Sequence, residues 1–533
     1  MLLAIAAAVI IVAVSSGSSS PPVAVLPPSV HRSGPETIFT PGAALRVDTT
    51  NTLNTLDKLG VTRVRVFLTW NEIAPDPTAK TKPAGFDATD PASYPATSWA
   101  GYDGIIKAVE AHHLGLDVVL GPPPPRWASA KGADKPATQT QWKPNAHDFQ
   151  EFAQAVGTRY SGHYKPAGAS APLPRVAFWS IWNEPNLGFQ LAPQAVDHNN
   201  VEESALLYRK LADAAWNGLT ASGHGKDLTL IGETGPAGAT FKGAPGKFGA
   251  MAPLRFLRAL YCVDSDYKPF TGSAATARGC PATAAQSAHF AAAHPVLFKA
   301  SAFADHPYPQ GLPPNQATPN EPDYAELASI GDLTSALDRM QRVYGSHKRF
   351  QIYDTEFGYQ TAPPDTQGGT VNPTVAAGYL NWSEYLHWRN PRIASYDQYL
   401  LDDPAPVVGH PYTAFATGLL TYQGTPKPAL AAFTMPLYLP ATRTASGHPL
   451  EVWGCVRPAT TAARTTHRPQ SVEIQYQRGS TGSFATVDRV RLPKTSCYFD
   501  VRTTFAGSGA VRLAWSYPHG PVIHSRTVAV TVG

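Results

Sequence analysis

Acidic residues follow several apolar runs of this sequence, and they are the first candidates for chemistry. The run 176–182 contains two tryptophans and is followed by Asn183 and Glu184, so this glutamate lies where a buried strand is predicted to stop. A charged carboxylate at such a place costs free energy unless it has a partner or a task. Carboxyl groups gathered in this way suit proton transfer or nucleophilic attack. The other acids that follow apolar runs are Glu233, Asp305, Asp354 with Glu356, and Asp402 with Asp403.

Glu184 and Glu356 differ from the other acids in their sequence surroundings. They lie in the segments "WNEPN" (182–186) and "TEFGY" (355–359), among aromatic and small residues. No lysine or arginine follows closely to neutralise either carboxylate. We therefore rank this pair above the remaining acids as candidates for a reactive site.

The elements that must position these acids alternate between apolar runs and amphipathic stretches. Segments 102–115 and 332–345 have helical periodicity, with Ile105, Ile106 and Val109 on one face of the first. Seven or eight such repeats predict an α/β fold, a (β/α)8 TIM barrel over residues 35–436. An open doubly wound sheet is the alternative, but no glycine-rich G-x-G-x-x-G turn follows the first strand. The predicted strands are 63–70, 116–122, 176–182, 228–233, 299–309, 350–359 and 393–401, with a weaker one at 37–40.

The last part of the chain follows a different pattern. Strict alternation in "SVEIQYQ" (471–477) and "VRLAWSY" (511–517) is typical of half-buried strands. With regularly spaced turn signals, residues 440–533 predict a small all-β sandwich of the immunoglobulin or fibronectin kind. We expect it to pack on the barrel, with sugar binding as the alternative.

Composition limits the possible partners and the compartment. The 533 residues carry a formal charge of +4 without a block of basic residues, which argues against nucleic acid as a partner. The apolar run 2–14 predicts a signal peptide or N-terminal anchor over residues 1–20, although the usual basic residues before it are missing. A proline- and serine-rich tether follows at 21–34. A secreted or extracytoplasmic protein is the resulting expectation, with membrane anchoring only through this segment.

Four cysteines fit an exported protein. Cys262 and Cys280 enclose a short loop, whereas Cys455 and Cys497 lie in the predicted sandwich, so the economical pairing is one disulfide within each domain. Four buried free thiols are the alternative. No Cys-x-x-Cys or His-Glu-x-x-His spacing occurs, so we expect neither a metal site nor a cofactor.

The two glutamate segments carry a family resemblance. "WNEPN" and "TEFGY", placed after the predicted fourth and seventh strands, resemble the active-site signatures of the clan A glycoside hydrolases, which include families 5 and 39. "HPY" (306–308), Arg65 and "PPRWAS" (124–129) fall where such enzymes place active-site groups. The resemblance covers most of residues 35–435.

The resemblance implies a role for each of these residues. Glu184 would be the acid and later the base, and Glu356 the nucleophile, about 5 to 5.5 Å apart as retaining hydrolysis requires. Asn183 would reach the sugar 2-hydroxyl, and Pro185 would bias Glu184 toward an extended backbone. The remaining implied groups are Tyr308 and Arg65, which would contact Glu356; His306, which would line the sugar subsite; and Trp127, which would stack on a sugar.

Each assignment has a structural alternative. Either glutamate could be a structural residue of the barrel that forms a salt bridge. Tyr308 and His306 could be core residues whose polar groups are hydrogen-bonded within the protein. Trp70 and Trp127 could pack a loop against the barrel. Arg65 could be a structural ion-pair partner instead, with Asp354 as one candidate. The sequence also departs from the family, because strand eight lacks the tryptophan that many members use as the floor of the sugar site. Tyr396, Gln398 or Tyr399 would take that place.

Taken together, these observations predict a secreted, monomeric retaining O-glycoside hydrolase that acts on a polysaccharide or oligosaccharide, with a slight preference for endo cleavage. A transglycosylase on the same fold and a catalytically inactive carbohydrate-binding protein are the alternatives. No G-x-S-x-G elbow supports an esterase.

Overall fold

Eight parallel strands form the barrel that the alternating pattern predicts. The computed structural model describes residues 34–131, 140–240, 243–366, 368–406 and 415–533. The predicted leader (1–20) and nearly all of the tether (21–34) lie outside the described residues. The barrel strands are β1 (Glu36–Thr40), β2 (Arg63–Thr69), β3 (Gly115–Gly121), β4 (Phe178–Ile181), β5 (Leu228–Thr234), β6 (Ala302–Asp305), β7 (Ile352–Asp354) and β8 (Ser395–Tyr399).

The order β7-β6-β5-β4-β3-β2-β1-β8 closes on itself. The Ile352 N–H donates to the Arg392 carbonyl at 2.7 Å, and the Ala394 N–H donates to the Ile352 carbonyl at 2.8 Å. The strand predicted only weakly near residue 37 is β1, which pairs with both β2 and β8. The (β/α)8 prediction is therefore confirmed, and the open-sheet alternative is wrong.

Helices surround the barrel and bury their apolar faces against it. The helices of the barrel region are α1 (Ala44–Val47), α2 (Thr49–Leu59), α3 (Trp70–Ile73), α4 (Ala96–Ala111), α5 (Ala146–Arg159), α6 (Glu203–Ala221), α7 (Pro253–Leu260), α8 (Gly272–Ala277), α9 (Ala284–Ser287), α10 (Phe290–Ala293), α11 (Val296–Lys299), α12 (Ile330–Val343), α13 (Pro373–Arg389) and α14 (Pro428–Thr434). The long helices that follow the strands include α4, α5, α6, α12 and α13, whereas between β5 and β6 the chain makes five short helices, α7 to α11.

The C-terminal region is a two-sheet sandwich with one helix, α15 (Arg457–Thr466), that the sequence pattern did not predict. Its strands are β9 (Leu437–Tyr438), β10 (Arg443–Thr444), β11 (Leu450–Cys455), β12 (Ser471–Arg478), β13 (Ala485–Arg491), β14 (Tyr498–Thr503), β15 (Gly509–Ser516), β16 (Val522–His524) and β17 (Val528–Val532). One sheet has the order β10-β17-β15-β12-β13, with β16 paired to β15, and the other has the order β14-β11-β9. Most pairs are antiparallel, but β10 and β17 run parallel.

Both predicted disulfides are present, Cys262–Cys280 in the region between β5 and β6 and Cys455–Cys497 in the sandwich. The pairing predicted from the sequence is confirmed, and the free-thiol alternative is wrong. Within the described ranges, no helix is both long and apolar enough to cross a membrane.

The sandwich packs against α13 of the barrel through aromatic and charged groups. Tyr385 and Trp388 of α13 lie in one apolar cluster with Trp453 and Tyr498 of the sandwich. Beside this cluster, the guanidinium of Arg457 lies 2.6 Å from Glu384, and both side chains are 1% exposed. The contact therefore buries charge as well as apolar surface.

Candidate active site

A cavity of about 670 Å³ opens at the carboxyl ends of the barrel strands. This is the end at which barrels of this kind place their reactive groups, because the loops that follow the strands meet there. Its polar lining consists of Asn183, Glu184, Gln190, Gln310 and Glu356, and its aromatic lining of Phe67, Phe189, Tyr308, Tyr399 and Phe415.

Glu184 and Glu356 face one another across this cavity. Glu184 follows β4 and Glu356 follows β7, on opposite sides of the barrel. One oxygen of each carboxyl group and one ring nitrogen of His306 all lie within 4.8 Å of one another. Carboxyl groups this close to one another are in keeping with the short spacing, about 5 to 5.5 Å, of retaining glycosidases.

Glu356 is held by two side chains of opposite character. The Arg65 Nη1 donates to Glu356 Oε1 at 2.7 Å, and the Tyr308 hydroxyl donates to Glu356 Oε2 at 3.3 Å. The guanidinium and the phenol thus fix the position of the Glu356 carboxylate.

Arg65 is fully buried on β2 and also pairs with Glu233 at 2.6 Å and with Asp117 at 3.5 Å, so it takes part in structural ion pairs as well, although not with Asp354. Asp354 Oδ2 instead lies 2.9 Å from His387 Nε2.

Glu184 lies in a less polar environment. Burial raises the pKa of its carboxyl group above the usual value, and the nearby His306 opposes this rise only in part. His306 Nδ1 lies 3.1 Å from Glu184 Oε1. A carboxyl group with a raised pKa keeps its proton at higher pH and can donate it.

The backbone at Glu184 differs from the prediction. Pro185 was expected to hold this residue extended, but its φ is +40°, in the left-handed region. Two contacts over-determine this strained conformation. The Glu184 N–H donates to the Glu233 carbonyl at 2.8 Å, and the Leu187 N–H donates to the Glu184 carbonyl at 2.9 Å. Tertiary hydrogen bonds therefore override the local preference before proline.

Glu233 was among the strand-end acids but was not selected from the sequence, and the structure places it at the centre of the site. It is fully buried at the end of β5. Its Oε2 accepts from Arg65 at 2.6 Å and from Thr355 at 2.9 Å, and lies 3.0 Å from His306 Nε2. Burial opposes ionisation, but Arg65 and His306 overcome it and lower the Glu233 pKa to about 2. Its position at a strand end was the available sequence signal.

His306 connects the three glutamates. Its Nε2 faces Glu233, and its Nδ1 lies 3.1 Å from Glu184 and 3.6 Å from Glu356. Burial lowers the pKa of the ring, but the surrounding carboxylates raise it well above the ordinary value. The ring is therefore an imidazolium at neutral pH.

Asn186 is a second residue that the sequence reasoning missed, although it lies within "WNEPN". Its side-chain NH2 donates to the carbonyls of Gly235 and Met251, and its Oδ1 accepts from the Gly235 N–H at 2.9 Å. These bonds join the loop after β4 to the loop after β5. The amide thus supports the backbone that carries Glu184.

Of the residues predicted to bind substrate, Asn183 lines the cavity, whereas Trp127 and Gln398 do not. Asn183 lines the cavity, and its Oδ1 accepts from Arg65 at 3.2 Å. Trp127 is not a cavity residue: its indole N–H donates to the Pro75 carbonyl, and its ring packs edge-on against Trp70. The structure therefore assigns Trp127 to loop packing.

Gln398 is fully buried, and its amide donates to the Tyr399 and Thr417 carbonyls instead of reaching the cavity. Of the three residues proposed to replace the missing strand-eight tryptophan, Tyr399 is the one that lines the cavity. It packs with Tyr308 and Phe415, whose ring centres are 5.2 Å apart. A cluster of three smaller rings occupies this side of the site.

Glu184, His306 and Glu356 are, among the described residues, the one group with the donor types and spacing for a divalent cation. Arg65 already supplies a positive charge at 2.7 Å from Glu356. An additional cation would have to compete with this guanidinium and with the imidazolium.

No protein-family model matches this sequence, and no curated protein sequence matches it significantly. Three solved structures show how distant its structural likenesses are. A glucosidase from Croceicoccus marinus is 11% identical over 85% of this chain and 89% of its own, with a TM-score of 0.45. A family 39 glycoside hydrolase from Bacteroides cellulosilyticus is 14% identical over 90% of this chain and 83% of its own, with a TM-score of 0.41. A mutant of β-glucuronidase 2 from Bacteroides uniformis is 9% identical over 94% of this chain, with a TM-score of 0.41, and this chain spans 45% of its length.

Proposed function

We propose that this protein is a retaining O-glycoside hydrolase that cleaves its substrate by double displacement. The observation that carries the proposal is the close approach of Glu184 and Glu356, with one oxygen of each within 4.8 Å. Arg65 and Tyr308 hold the Glu356 carboxylate in place, whereas burial raises the pKa of Glu184. One carboxylate is thus prepared to attack, and one carboxylic acid to donate a proton.

In the first step, Glu356 attacks the anomeric carbon while Glu184 gives its proton to the leaving oxygen. The glycosidic C–O bond breaks, an alcohol departs, and the sugar remains esterified to Glu356. In the second step, Glu184, now a carboxylate, takes a proton from water, and this water displaces Glu356. Two inversions leave the anomeric configuration unchanged.

Asn183 contributes to substrate binding in this proposal. Because its Oδ1 accepts from Arg65, its NH2 group is the part available to a sugar hydroxyl in the cavity. A hydrogen bond to the 2-hydroxyl that strengthens in the transition state lowers the barrier further.

We also propose that the enzyme is exported and acts as a monomer. Two disulfides are typical of oxidising compartments, and all the groups used above come from one chain.

The test compares the wild type with Glu356→Ala and Glu184→Ala on a panel of oligosaccharides, polysaccharides and aryl glycosides. Loss of the general acid is expected to cost about 10²- to 10⁴-fold in kcat/KM on substrates with poor leaving groups, and much less on dinitrophenyl glycosides, which need no protonation. Loss of the nucleophile is expected to abolish turnover of both kinds of substrate.

Azide distinguishes the two roles. It should rescue Glu356→Ala with a glycosyl azide of inverted configuration, and Glu184→Ala with one of retained configuration. If both variants turned over substrate at the wild-type rate, the roles assigned to Glu184 and Glu356 would be contradicted.

A further inference from the structure

An apolar wall lies beside the proposed acid. Leu187, Phe189, Pro236 and Ala237 line the cavity, and they come from the two loops that follow β4 and β5. A Cβ added to Gly235 would lie 3.0 Å from Leu187 Cδ1 and 3.1 Å from Glu184 Oε1. The leucine methyl group and the acidic oxygen therefore converge on the same small space.

Phe189 is the most exposed part of this wall. Its side chain is 61% exposed, and it is the one exposed phenylalanine in the described part of the chain. A single exposed apolar residue needs no explanation, but this ring continues an apolar cavity lining.

The backbone under Phe189 is held in place. The Gly188 N–H donates to the Gly249 carbonyl at 2.8 Å, and the Gln190 N–H donates to the Leu187 carbonyl at 2.9 Å. Gly188 also packs so closely on Phe248 that an added Cβ would lie 2.3 Å from its backbone. The ring is thus presented at the cavity by a fixed turn.

Glu184 gives its proton to the leaving oxygen, so the group attached to that oxygen must extend along the residues around Glu184. A sugar at this position would bring hydroxyl groups against the four apolar side chains of the wall, where hydroxyl groups that lose their partners cost free energy. Besides Asn183, the amide side chains that line the cavity are Gln190, next to Phe189, and Gln310. No lysine or arginine lines the cavity among the described residues. An apolar group would instead gain from each methylene that it removes from water.

We propose that the leaving group of the natural substrate is apolar, an alkyl or aryl alcohol bound against Leu187, Phe189, Pro236 and Ala237. This inference rests on the proposed hydrolase activity and replaces the polysaccharide expected from the sequence. The sugar that becomes attached to Glu356 would lie near Tyr308, whose hydroxyl donates to Glu356, and near the rings of Tyr399 and Phe415 that pack on Tyr308.

The test uses n-alkyl glycosides, from methyl to hexyl, of the sugar that the wild type hydrolyses best in the panel above. These alcohols are similar as leaving groups, so the series varies the apolar area and little else. We expect kcat/KM to rise with chain length, by up to about fourfold for each methylene that the wall covers. The hexyl glycoside should also exceed the disaccharide with the same reacting sugar.

Phe189→Ser and Leu187→Ser should flatten this rise, mainly through KM. The matched control is Val522→Ser, which changes an exposed apolar residue of the sandwich and should keep the wild-type dependence on chain length. A flat series in the wild type, together with faster cleavage of disaccharides, would overturn the inference while leaving the hydrolase proposal intact.

If no glycoside is turned over, the hydrolase proposal fails. Binding measurements still test whether the site beside Glu184 is apolar. Calorimetry of Glu356→Ala with the free n-alcohols, from methanol to hexanol, should show affinity that grows with chain length and falls in the Glu356→Ala/Phe189→Ser double variant. Affinity that is independent of chain length would contradict an apolar site.

Discussion

The two glutamates acquire different properties from their neighbours and not from their own chemistry. Glu356 receives hydrogen bonds from Arg65 and Tyr308, whereas the side chain that approaches Glu184 is His306. Glu233 fixes His306 from behind, because it lies 3.0 Å from Nε2 and leaves Nδ1 to face the reactive pair. Glu233 and His306 therefore act as positioning residues in the proposed reaction.

His306→Asn should change the pH profile as well as the rate. The imidazolium opposes the burial effect that raises the Glu184 pKa, so its removal raises that pKa further. The acid must be protonated, and the alkaline limb of kcat/KM should therefore move to higher pH. We expect the maximum to fall by roughly 10- to 100-fold because the carboxyl group loses its orientation.

His224→Asn is the matched control for this measurement. His224 is also buried and bonded to an acid, with Nδ1 2.6 Å from Asp227, but it contacts neither glutamate. It should leave the alkaline limb unchanged. A limb that stays in place in His306→Asn, or moves to lower pH, would show that His306 does not act on Glu184.

The sequence was informative about strand-end acids and less informative about contacts between them. Glu184 and Glu356 could be selected because each follows a buried run without a basic neighbour in sequence. The contact between Glu233 and His306 joins residues 73 apart, and no local pattern encodes it. Trp127 was misplaced for a similar reason, since a tryptophan beside a strand end suits both a sugar and a packed loop.

At the level of elements, the spacing of apolar residues along the sequence was sufficient to predict the barrel. It was weakest for β1, which has five residues, and it missed α15, whose sequence "RPATTAARTT" has few apolar residues. The helix is held by its contacts, because its first residue, Arg457, is bound by Glu384 of α13. Tertiary contacts of this kind cannot be read from a local pattern.

The contact between α13 and the sandwich is expected to be strongly stabilising. Glu384 lies 2.6 Å from the Arg457 guanidinium and accepts from the Tyr498 hydroxyl at 2.8 Å. Glu384→Ala would leave a buried guanidinium without its counter-charge. We expect the free energy of unfolding to fall by about 3–5 kcal/mol, measured by chemical denaturation.

Glu473→Ala is the control for this prediction. Glu473 pairs with Arg489 on the surface of the sandwich, where the arginine side chain is 71% exposed. Loss of this exposed pair should cost less than about 1 kcal/mol. Equal losses in the two variants would mean that the buried pair contributes no more than a surface one.

At the level of the whole molecule, the barrel interior contains more buried acids than bases. Asp117, Asp305, Asp354 and Asp397 are almost completely buried, and burial raises the pKa of each. For Asp117 the pKa is about 7, and for Asp305 about 8. The groups nearest to Asp305 are His306, which favours its charged form, and Asp354 and Glu233, which oppose it. Asp117 and Asp305 are therefore protonated in the folded protein under mildly acidic conditions.

This arrangement predicts that the protein is more stable at pH 5 than at pH 8. In the unfolded chain, these carboxyl groups have the ordinary pKa of 3.8, so between about pH 4 and pH 8 the folded state binds more protons than the unfolded state. The stabilisation is fully present below the unfolded pKa and is lost as the pH rises through the folded values. Glu233, with a pKa near 2, has the opposite effect, which is lost only as the pH falls from about 4.5 toward 2.

Asp305→Asn tests the argument, because the amide oxygen can still accept the 2.6 Å hydrogen bond from the Thr234 hydroxyl but cannot titrate. The difference between the free energies of unfolding at pH 5 and pH 8, measured with urea, should shrink relative to the wild type. Asp266→Asn, at a side chain that is 73% exposed, should leave the difference unchanged. If Asp305→Asn retained the whole wild-type difference, the pH dependence would have to come from other groups, since a neutral amide at this site releases no proton as the pH rises.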